Sequence, residues 1–332
     1  AKSGTVTSHA ATRRAHVGYY LVGPGVGLLM QRVGYRQPAL ERLGAALLGR
    51  PSLVYLGAVG LLTLLLLAVG ERHAAWGGAG VWQQLLVLLV LFIPAVSIAV
   101  GLVNLVLGYV LTPRPLPKLD LSEGLPADYR TVVAVPAMLG GAEAVDALLR
   151  QLERHYLGNR DDELLFALLT DYADADSADV GTDEAQLSRA LAGIRELNRR
   201  YGGDGPAPFY LFHRRRLWNE REGVWMGWER KRGKLMEFNR LLRGAEDTTY
   251  AVQEGDLQRL RGVRFVLTLD ADTRLPPGAA RRLIGTLAHP LNRAEFDERG
   301  RVVAGYSLLQ PRTDILPESA NTTEYSRLFV GE

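Results

Sequence analysis

The stretch VRFVLTLDADTRLPPGAARRLIGTLAHP, Val263 to Pro290, runs an apolar strand pattern straight into two aspartates one residue apart, Asp270 and Asp272, and then through prolines into a helix. The same alternation recurs upstream. RTVVAVPAML from Arg130 is a buried strand by its β-branched run, and GGAEAVDALLRQLERHYL is a helix with Ala144, Leu148, Leu152 and Tyr156 along one face. ELLFALLTDYADA is a second strand that ends at Asp171, APFYLFHRRR a third, and KRGKLMEFNRLLRG a helix that closes on Gly244. VRFVLTLDADT is the fourth strand and PGAARRLIGTLAHP its helix. Strands alternating with helices predict an α/β fold with a doubly wound, mostly parallel sheet, and such sheets bind ligands at the carboxyl ends of their strands. Asp171, Asp270 and Asp272 all fall there.

Composition narrows the chemistry. With 332 residues, 47% of them hydrophobic and 23% charged, the chain can bury a sizeable core. The 39 lysines and arginines against 36 acidic residues leave a formal charge of only +3, too little for a polycation built for nucleic acid. The absence of cysteine excludes disulfides, thiolate zinc sites and a cysteine nucleophile. The chain opens on AKSGTVTSHA without methionine and stops at EYSRLFVGE within structured-looking sequence, so a piece of a longer protein is expected.

Two uncharged apolar runs precede the α/β part. PSLVYLGAVGLLTLLLLAVG starts at Pro51, between Arg50 and the ERH at Glu71 to His73, and the second run extends from Leu85 to Leu111 and contains Pro94, Ser97 and Asn104. About 20 apolar residues cross a bilayer core, so each predicts a transmembrane helix. Arg13, Arg14, Arg32, Arg36, Arg42 and Arg50 lie before the first run, Arg72 is the one arginine of the connection, and Arg114 and Lys118 follow the second. By the positive-inside rule both ends are cytoplasmic. The expected organisation is an N-terminal segment over 1–50, two membrane helices over 51–112, a proline-rich linker over 113–127 and the α/β domain over 128–332.

Two carboxylates delivered by the turn after a strand can share a divalent cation with a diphosphate, and hard oxygen ligands suit magnesium or manganese. Such an ion neutralises charge on a departing diphosphate, which is the electrostatic part of glycosyl transfer from a nucleotide sugar.

The order of parts resembles a GT-A glycosyltransferase of the family 2 type. HVGYYL, VVAVPAML, ERKRGKLMEFNRLLRG, LTLDADTRLPPGAARRLIGTLAHPLNR and GYSLLQPR, in this order around the apolar runs, resemble the glucosyltransferase region of bacterial cyclic β-1,2-glucan synthases. That resemblance implies a GT-A (Rossmann-like) fold, UDP-glucose as donor, a growing β-1,2-glucan as acceptor, and a multi-pass protein of the bacterial inner membrane with its catalytic domain cytoplasmic. It also implies residue roles. Asp171 contacts the nucleotide base or ribose, and Pro136 lies in the loop after the first strand that walls the uridine pocket. Asp270 and Asp272 form the Asp-x-Asp pair, with Asp272 the principal metal ligand, and Lys234 with Arg230, Lys231 and Arg232 lies near the diphosphate. The general base for the acceptor hydroxyl and a Gln/Arg-x-x-Arg-Trp helix are expected beyond Glu332; neither Glu318 nor Glu324 is marked as that base. Two other readings stay open: a processive polysaccharide synthase using a different sugar nucleotide, and a membrane-tethered scaffold with an inert transferase-like fold.

Other motifs carry less. DYADADSADVGTDE from Asp171 lacks both the sixth-position glycine and the closing glutamate of a calcium loop. HRRRLWNEREGVWMGWERKRGK interleaves arginine with Trp218, Trp225 and Trp228, but its glutamates and the expected membrane anchor argue against nucleic acid; the expectation is packing of the tryptophans, ahead of sugar or diphosphate contact. The NTT at Asn321 is a chance match on a cytoplasmic face. His155, His213 and His289 have no ligand spacing.

Overall fold

A computed structural model describes residues 11–111, 113, 115–203, 205–314, 316 and 322–324. Arg114, Glu318 and Asn321 lie outside the described residues, and Glu324 is exposed. The described residues divide into two compact units, one within Arg14–Leu116 and a second from Pro117 onward together with residues 11–13.

The first unit is helical: α1 (Val17–Leu21), α2 (Val26–Arg32), α3 (Ala39–Leu48), α4 (Pro51–Trp76) and α5 (Val81–Val110). Pro51 opens α4 at a position where its missing N–H costs no hydrogen bond. The ERH triplet does not end α4, as the sequence reading assumed. The helix runs on through Glu71 to His73 and stops at Gly77 and Gly78, the latter at φ 78°, because charged residues are good helix formers and left-handed glycine is not. The connection to α5 is thereby cut to four residues without charge, Gly77 to Gly80. The two helices pack on each other where Gly70 lies against Leu91, and Tyr55 Oη donates to Asn104 Oδ1 at 3.2 Å. Both are long and apolar enough to cross a membrane. Only 6% of the most apolar stretch of α4 and 11% of that of α5 is buried, so their leucines face outward, unlike the core helices of a soluble protein.

The second unit is a three-layer α/β structure. Its strands are β1 (Thr131–Leu139), β2 (Leu164–Tyr172), β3 (Phe209–Arg214), β4 (Leu217–Asn219), β5 (Val224–Met226), β6 (Tyr250–Glu254), β7 (Phe265–Thr268), β8 (Glu295–Phe296) and β9 (Val302–Ala304). Its helices are α6 (Ala142–Gly158), α7 (Asp183–Tyr201), α8 (Arg230–Leu242), α9 (Leu257–Leu260) and α10 (Ala279–Ala288). The main sheet has the order β6-β3-β2-β1-β7, parallel except for the edge strand β6. Alternate residues of its central strands feed two cores. Val133, Val135, Phe166, Leu168, Phe209 and Leu211 meet α6, α7 and α10, whereas Val132, Ala134, Leu165, Leu169 and Phe212 meet Phe238 of α8 and Leu260 of α9. This two-sided burial is why β1 and β2 read as continuous apolar runs.

Two local readings need correction. The buried face of α6 carries Val145, Leu152 and Tyr156, while Ala144 is exposed in the first turn. Pro136 lies inside β1, opposite Leu169, rather than in the loop after it. A proline is tolerated there because pairing with β7 ends at Ala134. Ala134 accepts from Leu269 N on that side, and by alternation Pro136 turns to the same, now unpaired, side.

Candidate functional site

From β1 the chain moves outward to β2 and β3 and then returns to place β7 on the opposite flank of β1. The strand order therefore reverses between β1 and β7, the position at which sheets of this kind form a ligand crevice at the carboxyl ends of their strands. Past Thr268 the chain turns sharply, with Thr273 N donating to Asp270 O at 2.9 Å. Aspartate suits the first position of such a turn. Asp270 and Asp272 both emerge exposed at this edge.

Asp171 occupies the equivalent end of β2, opposite Met138, but it faces inward and is 4% exposed. Arg214, at the end of β3, grips it with Nε on Oδ1 at 2.7 Å and Nη2 on Oδ2 at 2.8 Å. The remaining donors of Arg214 reach Trp228 O at 3.0 Å, Arg230 O at 3.0 Å and Glu237 Oε2 at 3.3 Å. All five guanidinium N–H groups are thus used, which is how an arginine side chain can be fully buried. Burial opposes its charge, but the Asp171 carboxylate outweighs this and the pKa is raised.

Lys234, on α8, adds a second cation. Its Nζ lies 3.1 Å from Asp171 Oδ2 and 2.5 Å from Ala137 O at the end of β1. Burial lowers its pKa and the neighbouring Asp171 works against that shift. Glu237, one helical turn on, accepts from Thr249 Oγ1 as well as from Arg214. Two buried cations and two buried carboxylates therefore balance.

Gly227 makes this packing possible, since a Cβ there would lie 2.6 Å from the Asp171 carboxyl carbon. The chain then enters α8 through two left-handed residues, Glu229 at φ 51° and Arg230 at φ 45°. Two successive non-glycine residues at positive φ are strained, and the two carbonyls held by Arg214 stabilise the turn. The turn sets the start of α8 at the rim of the crevice. There Lys231 forms an ion pair with Asp270. Arg232 is exposed and pairs with Glu229 at 3.5 Å, and Arg230 pairs with Asp174 and Glu222.

A second buried pair closes the loop after β2. Arg216 donates to Asp183 at 2.5 and 3.1 Å and to Ala173 O and Ala178 O, so Asp183 is committed to the loop. His213 is buried beside Tyr172 with Nδ1 2.8 Å from Thr170 Oγ1 and Nε2 without a partner, and burial lowers its pKa to about 4.

The structure thus joins Lys231 to Asp270 and Lys234 to Asp171, and separates the exposed aspartates from the buried one in environment. Sequence reasoning missed Arg214, Glu237 and Gly227. A signal was present: Arg214 comes one residue after the FYLF run, next to His213, which pairs with Thr170 just before Asp171 in β2, and Glu237 is three residues from Lys234 on one face of α8.

Among the described residues no group of three or more histidine, aspartate or glutamate side chains is placed to hold a metal. Asp270 and Asp272 form a partial set of hard oxygen donors, which fits magnesium or manganese completed by phosphate oxygens and water.

No family model matches the chain. Over 323 residues, 97% of its length, it is 40% identical to the cyclic β-(1,2)-glucan synthase NdvB of Rhizobium meliloti (strain 1021). The chain is a relative of the cyclic β-(1,2)-glucan synthases. It spans 11% of the length of that curated relative. The match spans 323 of the 332 residues, so the likeness covers the apolar helices and the α/β unit together rather than one motif.

Proposed function

We propose that this chain carries the sugar-nucleotide donor site of a membrane-bound, inverting glucosyltransferase that builds β-1,2-glucan from UDP-glucose, and that the α/β unit has the GT-A fold. The observation that carries the reading is the 40% identity over 97% of the chain to a cyclic β-(1,2)-glucan synthase. The exposed Asp270 and Asp272 at the switch point of the sheet support it.

In this reading Asp270 and Asp272 hold magnesium or manganese, with Asp272 the principal ligand because Asp270 already faces Lys231. When bound, the ion supplies positive charge against the departing diphosphate. Lys231 sits on the solvent side of the crevice and turns its ammonium from Asp270 to a phosphate oxygen. Lys234 and Arg232 divide the roles first expected of them. Lys234 is committed to Asp171 and Ala137 O and fixes the end of β1 behind Pro136, whereas Arg232 is free enough to meet the diphosphate. Asp171 holds Arg214 and Lys234 and so positions the nucleotide-side wall.

The arginines ahead of α4 and the uncharged Gly77 to Gly80 connection support a multi-pass placement in the bacterial inner membrane with the α/β unit on the cytoplasmic side, where UDP-glucose is available and membrane lipid surrounds α4 and α5.

The test uses membranes from cells expressing the natural gene. Labelled glucose from UDP-glucose is expected to enter β-1,2-linked product, and Asp272→Asn is expected to reduce incorporation by more than about tenfold. Incorporation from another sugar nucleotide but not from UDP-glucose contradicts the donor assignment.

A further inference from the structure

Beside the start of α8 lies an open cleft of about 640 Å³ between the β4–β5 hairpin and the turn that follows it. Its volume suits several sugar rings or one drug-sized ligand. Trp218 and Trp228 line it and remain 49% and 42% exposed. Tryptophan is among the most buried residues on average, so two half-exposed indoles on one cleft are surface that packing has not used.

The platform is rigid. Trp218 stands opposite Trp225 across the hairpin, with ring centroids 5.9 Å apart. The hairpin is tied down by reciprocal backbone bonds between Trp225 and Ala175 at 2.8 and 3.0 Å. Trp228 is fixed from behind by Arg214, which bonds its carbonyl.

The polar lining selects a ligand class. Glu220, Glu222 and Glu229 line it together with Arg221 and Arg230, and Arg230 is already neutralised by Glu222 at 2.6 Å and by Asp174 at 2.9 Å. A lining with no surplus of cations does not recruit a diphosphate or nucleic acid. Carboxylates accept hydroxyl hydrogen bonds, guanidinium groups donate to ring and hydroxyl oxygens, and indole faces cover the apolar C–H faces of a pyranose. Together these features suit a neutral polyhydroxylated chain.

We infer that this cleft is a glucan-binding subsite, which seats a neutral glucose polymer on Trp218 and Trp228 beside the helix whose Lys231 touches Asp270. The choice of glucan as occupant rests on the glucan-synthesis reading above; the cleft and its two indoles do not. The subsite gives a growing chain a hold outside the crevice between β1 and β7, so that product can be retained between additions.

The test is calorimetric titration of the detergent-solubilised chain with β-1,2-glucooligosaccharides, without nucleotide, alongside a separate titration with UDP and manganese. Trp218→Ala is expected to weaken oligosaccharide binding by about tenfold, and Trp218→Tyr to retain most of it. Neither change is expected to alter UDP binding, which also reports that the α/β unit is folded. Trp228→Ala provides a second, independent removal. Absence of oligosaccharide binding to the wild type, or binding unchanged by both alanine variants, overturns the subsite. Because UDP binding is read on the same protein, a lost donor site with oligosaccharide binding intact and sensitive to Trp218 counts against the donor assignment and supports the cleft.

Discussion

Arg214 meets Asp171 through two near-parallel hydrogen bonds of 2.7 and 2.8 Å, and neither side chain has more than 6% of its surface exposed. An aspartate so placed at the end of β2 is a structural anchor for the β3 terminus and the turn into α8. Removing one partner of such a pair leaves an uncompensated buried charge, which costs about 3–5 kcal/mol.

Asp171→Asn is therefore expected to lower the melting temperature of the solubilised chain by roughly 6 to 20 °C. Differential scanning of wild type and variant reads this directly. An unchanged melting temperature together with lost UDP binding identifies Asp171 as a direct nucleotide contact instead.

Burial pushes His155 and His213 down to about 4 from their ordinary value of 6.5. Below 6.5 the unfolded chain takes up protons that the folded chain refuses, so the stability these two histidines contribute is fully present above about pH 6.5 and is lost as the pH falls towards about 4. The expected slope approaches 1.4 kcal/mol per pH unit for each histidine, as an order of magnitude. Melting temperatures from pH 7.5 to 4.5 check it, and His155→Gln is expected to flatten the profile. A profile flat between pH 6.5 and 5 contradicts the buried neutral state.

Much of the fold was legible because its strands are buried on both faces. VVAVPA and LLFALL read as strands by their apolar runs alone, and the two long apolar helices by length. The edge strand β6 and the β4–β5 hairpin were not legible. Tyr250–Glu254 and the Leu217–Asn219 and Val224–Met226 strands are short and partly exposed, without a two-residue alternation of apolar and polar residues, and only pairing with β3 or with each other defines them. At the site, exposed Asp270 and Asp272 followed from their place after a strand. The inward turn of Asp171 did not, since it depends on Arg214, 43 residues away in the chain, and on the absence of a side chain at Gly227.

In the proposed topology, which rests on the uncharged connection between α4 and α5 and the arginines ahead of α4, both ends of this pair lie on one side. Protease treatment of inverted vesicles is expected to cleave the region after Lys118, and treatment of right-side-out vesicles to spare it. The reverse pattern would place the donor site away from cytoplasmic UDP-glucose.

Asp270 and Asp272 are exposed, so Asp270→Asn and Asp272→Asn are expected to leave the melting temperature within about 2 °C of wild type, in contrast to Asp171→Asn. A larger drop in either variant would show that the turn after β7 needs the carboxylate for folding.

The measurement that bears most directly on the donor site is calorimetric titration of the solubilised chain with UDP, with and without manganese. Binding is expected only when the cation is present, because Asp270 and Asp272 repel a diphosphate until a cation intervenes, and Asp272→Asn is expected to weaken it by more than about tenfold. UDP binding of equal strength without the cation, or cation-dependent binding that Asp272→Asn leaves intact, would contradict the assignment of the turn after β7 as the diphosphate site.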